Sequence, residues 1–124
     1  LDPDANTYYK QINRLEVSAH LLIRRDGSLI QYVPFDKRAW HAGQSCFADE
    51  ENCNDFAIGI ELEGVDDQAY ETAHYQQLTK ISTLLMEQYP GITPQRIAGH
   101  CDIAPGRKSD PGEAFDWECF RALL

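Results

Sequence analysis

The sequence predicts an α/β domain with a single mixed β-sheet flanked by helices. Three observations predict it. A strand–turn–strand pattern surrounds Asp26-Gly27, a run of alternating residues spans 56–63, and a long amphipathic pattern covers 72–89. In chain order the elements read helix, hairpin, strand, long helix, short strand, helix, an order that favours one sheet with helices packed against it.

Residues 4–15 read as a modest helix. Residues 16–24 are rich in apolar and β-branched side chains and stop at Asp26-Gly27, a strong hairpin signal; residues 28–34 form the returning strand. The polar stretch 42–55, with Gly43, Asn52 and Asn54, reads as a loop. Residues 56–63 then alternate. Phe56, Ile58, Ile60 and Leu62 fall on a core face, and Ala57, Gly59, Glu61 and Glu63 on the other. Gly59 has no side chain, so another group can approach that second face closely beside Glu61. Tyr75, Leu78, Ile81, Leu85 and Tyr89 recur at helical spacing, with Thr72 as the expected N-cap and Pro90-Gly91 as the stop. Ile97 and Ala98 predict a short strand leading into Gly99-His100. Residues 104–114, with two prolines and two glycines, are irregular, and the C-terminal run from Phe115 reads as a short helix.

With 124 residues, 43% hydrophobic and 25% charged, the chain suits one soluble globular domain. No apolar run approaches the ~20 residues that span a bilayer. The first ten residues have neither the basic nor the apolar region of a signal peptide, and no starting methionine, so a removed leader or a missing front portion stays open. A formal net charge of -9 repels phosphate backbones and anionic lipid, which makes nucleic acid and membranes poor partners. Cys46, Cys53, Cys101 and Cys119 fit neither a zinc knuckle nor a CxxC pair. Cys46 and Cys53 can bridge in an oxidising compartment, but reduced thiols in a cytosolic protein are the better fit.

The chemistry-bearing side chains concentrate between Gly99 and Gly112, where His100, Asp102, Arg107, Lys108 and Asp110 share one turn-rich stretch. Imidazole and carboxylate are what a zinc ion wants, and a segment stiffened by Pro111 can fold back to bring His100 and Asp110 together. The residues alone favour solvated loop charge over a metal site. Glu61 reads as an exposed sheet position or as a general base whose pKa partial burial can tune. Trp40 and His41 form either a stacking wall for a sugar ring or a cap over the core. His20 is better explained as a hydrogen-bonded strand residue than as a ligand. His74 is expected at the surface, and Arg24, Arg25, Lys37 and Arg38 as a solvated basic cluster.

Three stretches, VSAHLLIRRDGSLIQYVPFDKRAWHAG, CNDFAIGIELEG and GHCDIAPGRKSDPG, occur in that order. Together they closely resemble the AmpD-type N-acetylmuramoyl-L-alanine amidases, members of the zinc amidase family that also holds peptidoglycan recognition proteins. The resemblance covers nearly the whole chain and implies one amidase domain over residues 1–124. It also implies one zinc ion, bound in part by His100 and Asp110. Glu61 would act on the water at the zinc, and Lys108 would steady the oxyanion. Trp40, His41 and Arg107 would line the substrate cleft; from its position alone, Arg107 is further expected to pair with a peptide carboxylate. The implied substrate is a soluble muropeptide with a 1,6-anhydro sugar, cut between N-acetylmuramic acid and L-alanine by a cytoplasmic monomer during cell-wall recycling. The family's first zinc histidine ends a first strand that would lie ahead of Leu1, and His20 matches a different family position. A fragment of a longer polypeptide and a natural variant without that ligand both account for this, the second as a non-catalytic muropeptide-binding module.

Overall fold

The computed structural model describes residues 19–64 and 69–124. The helix expected over 4–15 lies outside them, as does the start of the expected strand over 16–24. The fold is organised around β1 (Leu21–Ile23), whose three side chains are all at most 1% exposed. It pairs antiparallel with β2 (Leu29–Gln31), matching Leu22 to Ile30, and parallel with a strand from residues 60–62, matching Leu22 to Glu61. The result is a three-stranded mixed sheet with β1 in the middle. The turn between β1 and β2 is held by Arg24 N–H to Ser28 O at 2.9 Å and by Ser28 N–H to Asp26 Oδ1 at 2.9 Å. Hydrogen bonding from Ser28 keeps the Asp26 carboxyl below the ordinary carboxylate range.

The segment expected to be featureless loop, 42–55, carries structure of its own. β3 (Cys46–Phe47) and β4 (Glu50–Glu51) form a small antiparallel ribbon, and Cys53–Asp55 form a 3-10 turn. That turn delays entry into the sheet, so β5 is only Ile60–Leu62. Phe56, expected in the core, is 44% exposed because it caps the 3-10 turn before the strand phase begins. Ile60 and Leu62 keep the predicted face and pack on the core. Glu63, expected on the polar face, is buried. Its carboxylate accepts from Arg25 N–H at 3.0 Å and lies 3.8 Å from Arg24 Nε.

Helix α1 (Thr72–Gln88) follows the predicted amphipathic pattern, burying Tyr75, Leu78 and Leu85. Its N-cap is Glu71 rather than Thr72. His74, expected at the surface, is 1% exposed. Its Nδ1 accepts from Glu71 N–H at 2.9 Å, which leaves Nε2 as the donor to Glu63 O at 3.0 Å. Both polar atoms are thus satisfied, and burial lowers the imidazole pKa. Ile97 and Ala98 form no strand; a 3-10 turn, Pro94–Arg96, leads into them, and His100 opens α2 (His100–Ile103) instead of ending a strand. Residues 104–114 are irregular as expected, and α3 (Trp117–Leu123) closes the chain with Asp116 accepting from Cys119 N–H. Ile23, Tyr75, Leu78, Phe115 and Phe120 form the main core between sheet and helices. Leu22 points the other way, onto Ala19, Ile30 and Tyr32. Because β1 and β5 are parallel and in register, Glu61 shares the Leu22 side of the sheet, away from α1.

Candidate active site

On that side of the sheet Gly59 opens the space the sequence suggested. A Cβ at Gly59 would lie 2.4 Å from His41 Cγ, so only glycine lets the His41 ring rest on the strand. His41 Nε2 contacts Ala57 O at 3.3 Å, and its ring meets the His20 ring edge-on at 5.7 Å. Burial, more than the hydrogen bond to Ala57 offsets, takes the His41 pKa down to about 4. His20 is structural in its bonding. Nδ1 accepts from Gly59 N–H at 3.0 Å and Nε2 meets Lys37 O at 2.8 Å, tying β1 to β5 and to the segment after β2.

Helix α2 brings in His100, and the loop after it returns to meet it. Cys101 N–H donates to Asp110 O at 2.9 Å, and Tyr70 Oη donates to Pro111 O at 2.8 Å, which pins both ends of the Asp110-Pro111 unit. His100 Nδ1 and Asp110 Oδ2 are consequently 3.3 Å apart, while His100 Nε2 lies 2.9 Å from Ala42 O. A carbonyl and a carboxylate both only accept, so the two contacts together suit an imidazolium that donates from both nitrogens, or a neutral ring that donates from Nε2 and turns its Nδ1 lone pair to a cation. Two lone pairs aimed at one another are favourable only with a proton or a cation between them. The hydrogen bond to Asp110 raises the His100 pKa against the opposing pull of burial. Burial raises and His100 lowers the Asp110 carboxyl, with a net shift downward, and Lys108 stands close enough to press on both groups.

Glu61, His41, His100 and Asp110 are among the residues lining a cavity of about 600 Å³ that continues past Ile60 and Leu62 to Leu78, Leu85 and Phe115 on the core side of the sheet. Glu61 is half-buried there. Trp40, Arg107 and Lys108 do not line it. Trp40 is 46% exposed with the Arg38 guanidinium 4.3 Å from its ring centroid, and Arg38 in turn pairs with Asp55. Arg107 turns to the backbone, donating from Nη2 to Ala42 O and from Nε and Nη2 to Gln44 O. Among the described residues no cluster of three metal-binding side chains forms; His100 and Asp110 stand as a pair. Sequence reasoning missed Asn54, whose buried Oδ1 accepts from His41 N–H at 2.9 Å and Ala42 N–H at 2.8 Å. Its only linear signal was its place in a polar loop.

A mixed sheet bearing a strand carboxylate, with an imidazole and a carboxylate converging from one irregular segment, defines a class. The chain belongs to the N-acetylmuramoyl-L-alanine amidase family, whose profile matches residues 1–113. It is 59% identical over all 124 residues to 1,6-anhydro-N-acetylmuramyl-L-alanine amidase AmpD of Salmonella typhimurium (strain SL1344), covering 66% of that protein. It is 58% identical to the AmpD of Escherichia coli (strain K12), again over its whole length and covering 67% of the relative. The chain therefore spans about two thirds of the length of these curated relatives. A crystal structure of a Se-Met AmpD derivative superposes with a TM-score of 0.86 at 58% identity, covering 100% of this chain and 69% of the other. The amidase AmiD of E. coli, solved with anhydro-N-acetylmuramic acid-L-Ala-D-gamma-Glu-L-Lys, gives 0.89 at 31% identity, covering 97% of this chain and 52% of that one.

Proposed function

We propose that this chain belongs to an amidase that hydrolyses the bond between N-acetylmuramic acid, in its 1,6-anhydro form, and L-alanine in soluble muropeptides. The observation that carries the reading is the convergence of His100 Nδ1 on Asp110 Oδ2 at 3.3 Å in the cleft that Glu61 lines. It is supported by the family membership and by relatives named for this activity. His100 and Asp110 are the donors this chain offers to a zinc ion, and neutral imidazole with carboxylate suits that ion. Bound zinc supplies a Lewis acid that acidifies water and polarises the scissile carbonyl. Glu61 takes the proton from the attacking water and hands it to the departing amine of L-alanine. The Lys108 ammonium, outside the cleft lining but close enough to act on His100 and Asp110, would reach in to donate to the oxyanion that develops on the lactyl carbonyl. Exposed Trp40 offers a face for the sugar, and His41, kept neutral by burial, forms the floor of the cleft. A cytoplasmic monomer, acting in cell-wall recycling apart from nucleic acid or membrane, accords with the net charge of -9; among the described residues no helix is long and apolar enough to cross a membrane.

A second reading, a muropeptide-binding module without catalysis, is favoured by the pair rather than trio of metal-binding side chains among the described residues. Incubating the chain with an anhydro-muramyl tripeptide, with and without added zinc, and separating products by liquid chromatography distinguishes the two. Zinc-dependent release of the peptide, lost by about 100-fold or more in Glu61→Gln, is expected for the amidase. Binding of the muropeptide without release at any zinc concentration assigns the module.

A further inference from the structure

We propose that Arg107 is a positioning residue that fixes the ring plane of His100 through the carbonyl of Ala42. The consequence for metal affinity rests on the zinc reading above; the ring-plane claim does not. His100 Nε2 and Arg107 Nη2 share a single acceptor, Ala42 O, at 2.9 and 2.6 Å. A histidine that presents one nitrogen to a cation needs the other held by a fixed acceptor, and a loop carbonyl is such an acceptor only if the loop cannot turn. Here the loop is held from two sides. Asn54 Oδ1 takes the N–H groups of His41 and Ala42, and Arg107 takes the carbonyls of Ala42 and Gln44.

The residue between those carbonyls fits the device. Gly43 has φ +61°, a left-handed turn, and a Cβ there would sit 2.9 Å from Arg107 Nη2. Glycine thus makes both the turn and the room for the guanidinium. The contact on Gln44 O uses Nε at 3.2 Å and Nη2 at 2.8 Å, a fork that a lysine ammonium cannot reproduce. Nε and Nη2 are thus committed to the backbone.

The test compares the full chain with Arg107→Ala, Arg107→Lys and Gly43→Ala by two readouts, after far-UV circular dichroism has shown which variants are folded. Proton–nitrogen correlation spectra of the metal-free proteins report whether the His100 Nε2–H, which rests on Ala42 O, exchanges slowly or quickly with water. Competition with a chromophoric chelator reports zinc affinity. The parent chain is expected to show a slowly exchanging Nε2–H. Every folded variant, Arg107→Lys included, should show fast exchange and bind zinc about tenfold more weakly, the lower end for losing an outer-shell contact. Variants that keep the parent exchange and affinity overturn the proposal. Full rescue by Arg107→Lys overturns it too, because charge alone would then suffice. If the parent takes up zinc no better than His100→Ala, the metal reading fails, and the exchange comparison by itself decides the role of Arg107.

Discussion

Acidification isolates what the burial of His41 does to stability. In the folded chain this imidazole titrates at about 4, against an ordinary value near 6.5. Between those values the unfolded chain binds a proton that the folded chain refuses, so stability falls as the pH falls. The contribution is intact above about pH 6.5 and is lost progressively towards pH 4. The difference of about 2.5 units, at about 1.4 kcal/mol each, gives roughly 3 kcal/mol, which partial solvent access trims to about 2–3 kcal/mol. The assay is urea unfolding of the parent chain and His41→Gln at steps from about pH 7.5 to about pH 4.5. His100 and Asp110 also titrate, but they are common to both proteins and largely cancel in the difference. The parent is expected to lose about 2 kcal/mol more than the variant across that window. Parallel curves would refute the claim that the fold keeps His41 neutral.

Three further outcomes follow from the same geometry. Gly59→Ala places a methyl against His41 Cγ and should destabilise the chain by about 1–3 kcal/mol in thermal melts. Adding His41→Ala should recover part of that loss, and an additive double variant would show that the two do not touch. His74→Ala leaves the Glu71 N–H and Glu63 carbonyl without their partner and opens a cavity; a loss of about 2–4 kcal/mol in urea unfolding is expected, whereas a loss under about 0.5 kcal/mol would mean that the site is wet. Asp110→Asn removes the first cause of the raised His100 pKa, so the nuclear magnetic resonance titration of His100 in metal-free protein should move to lower pH; an unmoved midpoint would mean that the two side chains do not meet in solution.

The elements that the sequence announced are those whose information is local. Asp26-Gly27 between apolar runs specified the β1–β2 turn, and the spacing of Tyr75, Leu78 and Leu85 specified the buried face of α1. The pairing of His100 with Asp110, ten residues further on, was legible only through the resemblance to the amidases, since the residues alone favoured solvated loop charge. What escaped depended on partners far away in the chain. His74 is buried because two backbone groups fit its two nitrogens, and nothing in its neighbours' polarity encodes that. Phe56 was counted inward because the alternation was extended backwards through a 3-10 turn that shifts the phase. Ala42 contributes only a carbonyl, so composition and spacing are blind to it.

The parallel ladder between β1 and β5 has an implication for how the acid is aimed. Leu22 is level with Glu61, and Ile23 with Leu62. Sliding β5 by one position would exchange the two faces, carrying the carboxylate to the aromatic interior around Phe115 and Leu62 to the face on which His41 rests. The direction of the acid is thus inherited from the grip of Ile60 and Leu62 on the hydrophobic interior. Substitutions on the core face of the sheet are therefore able to swing the reactive group away.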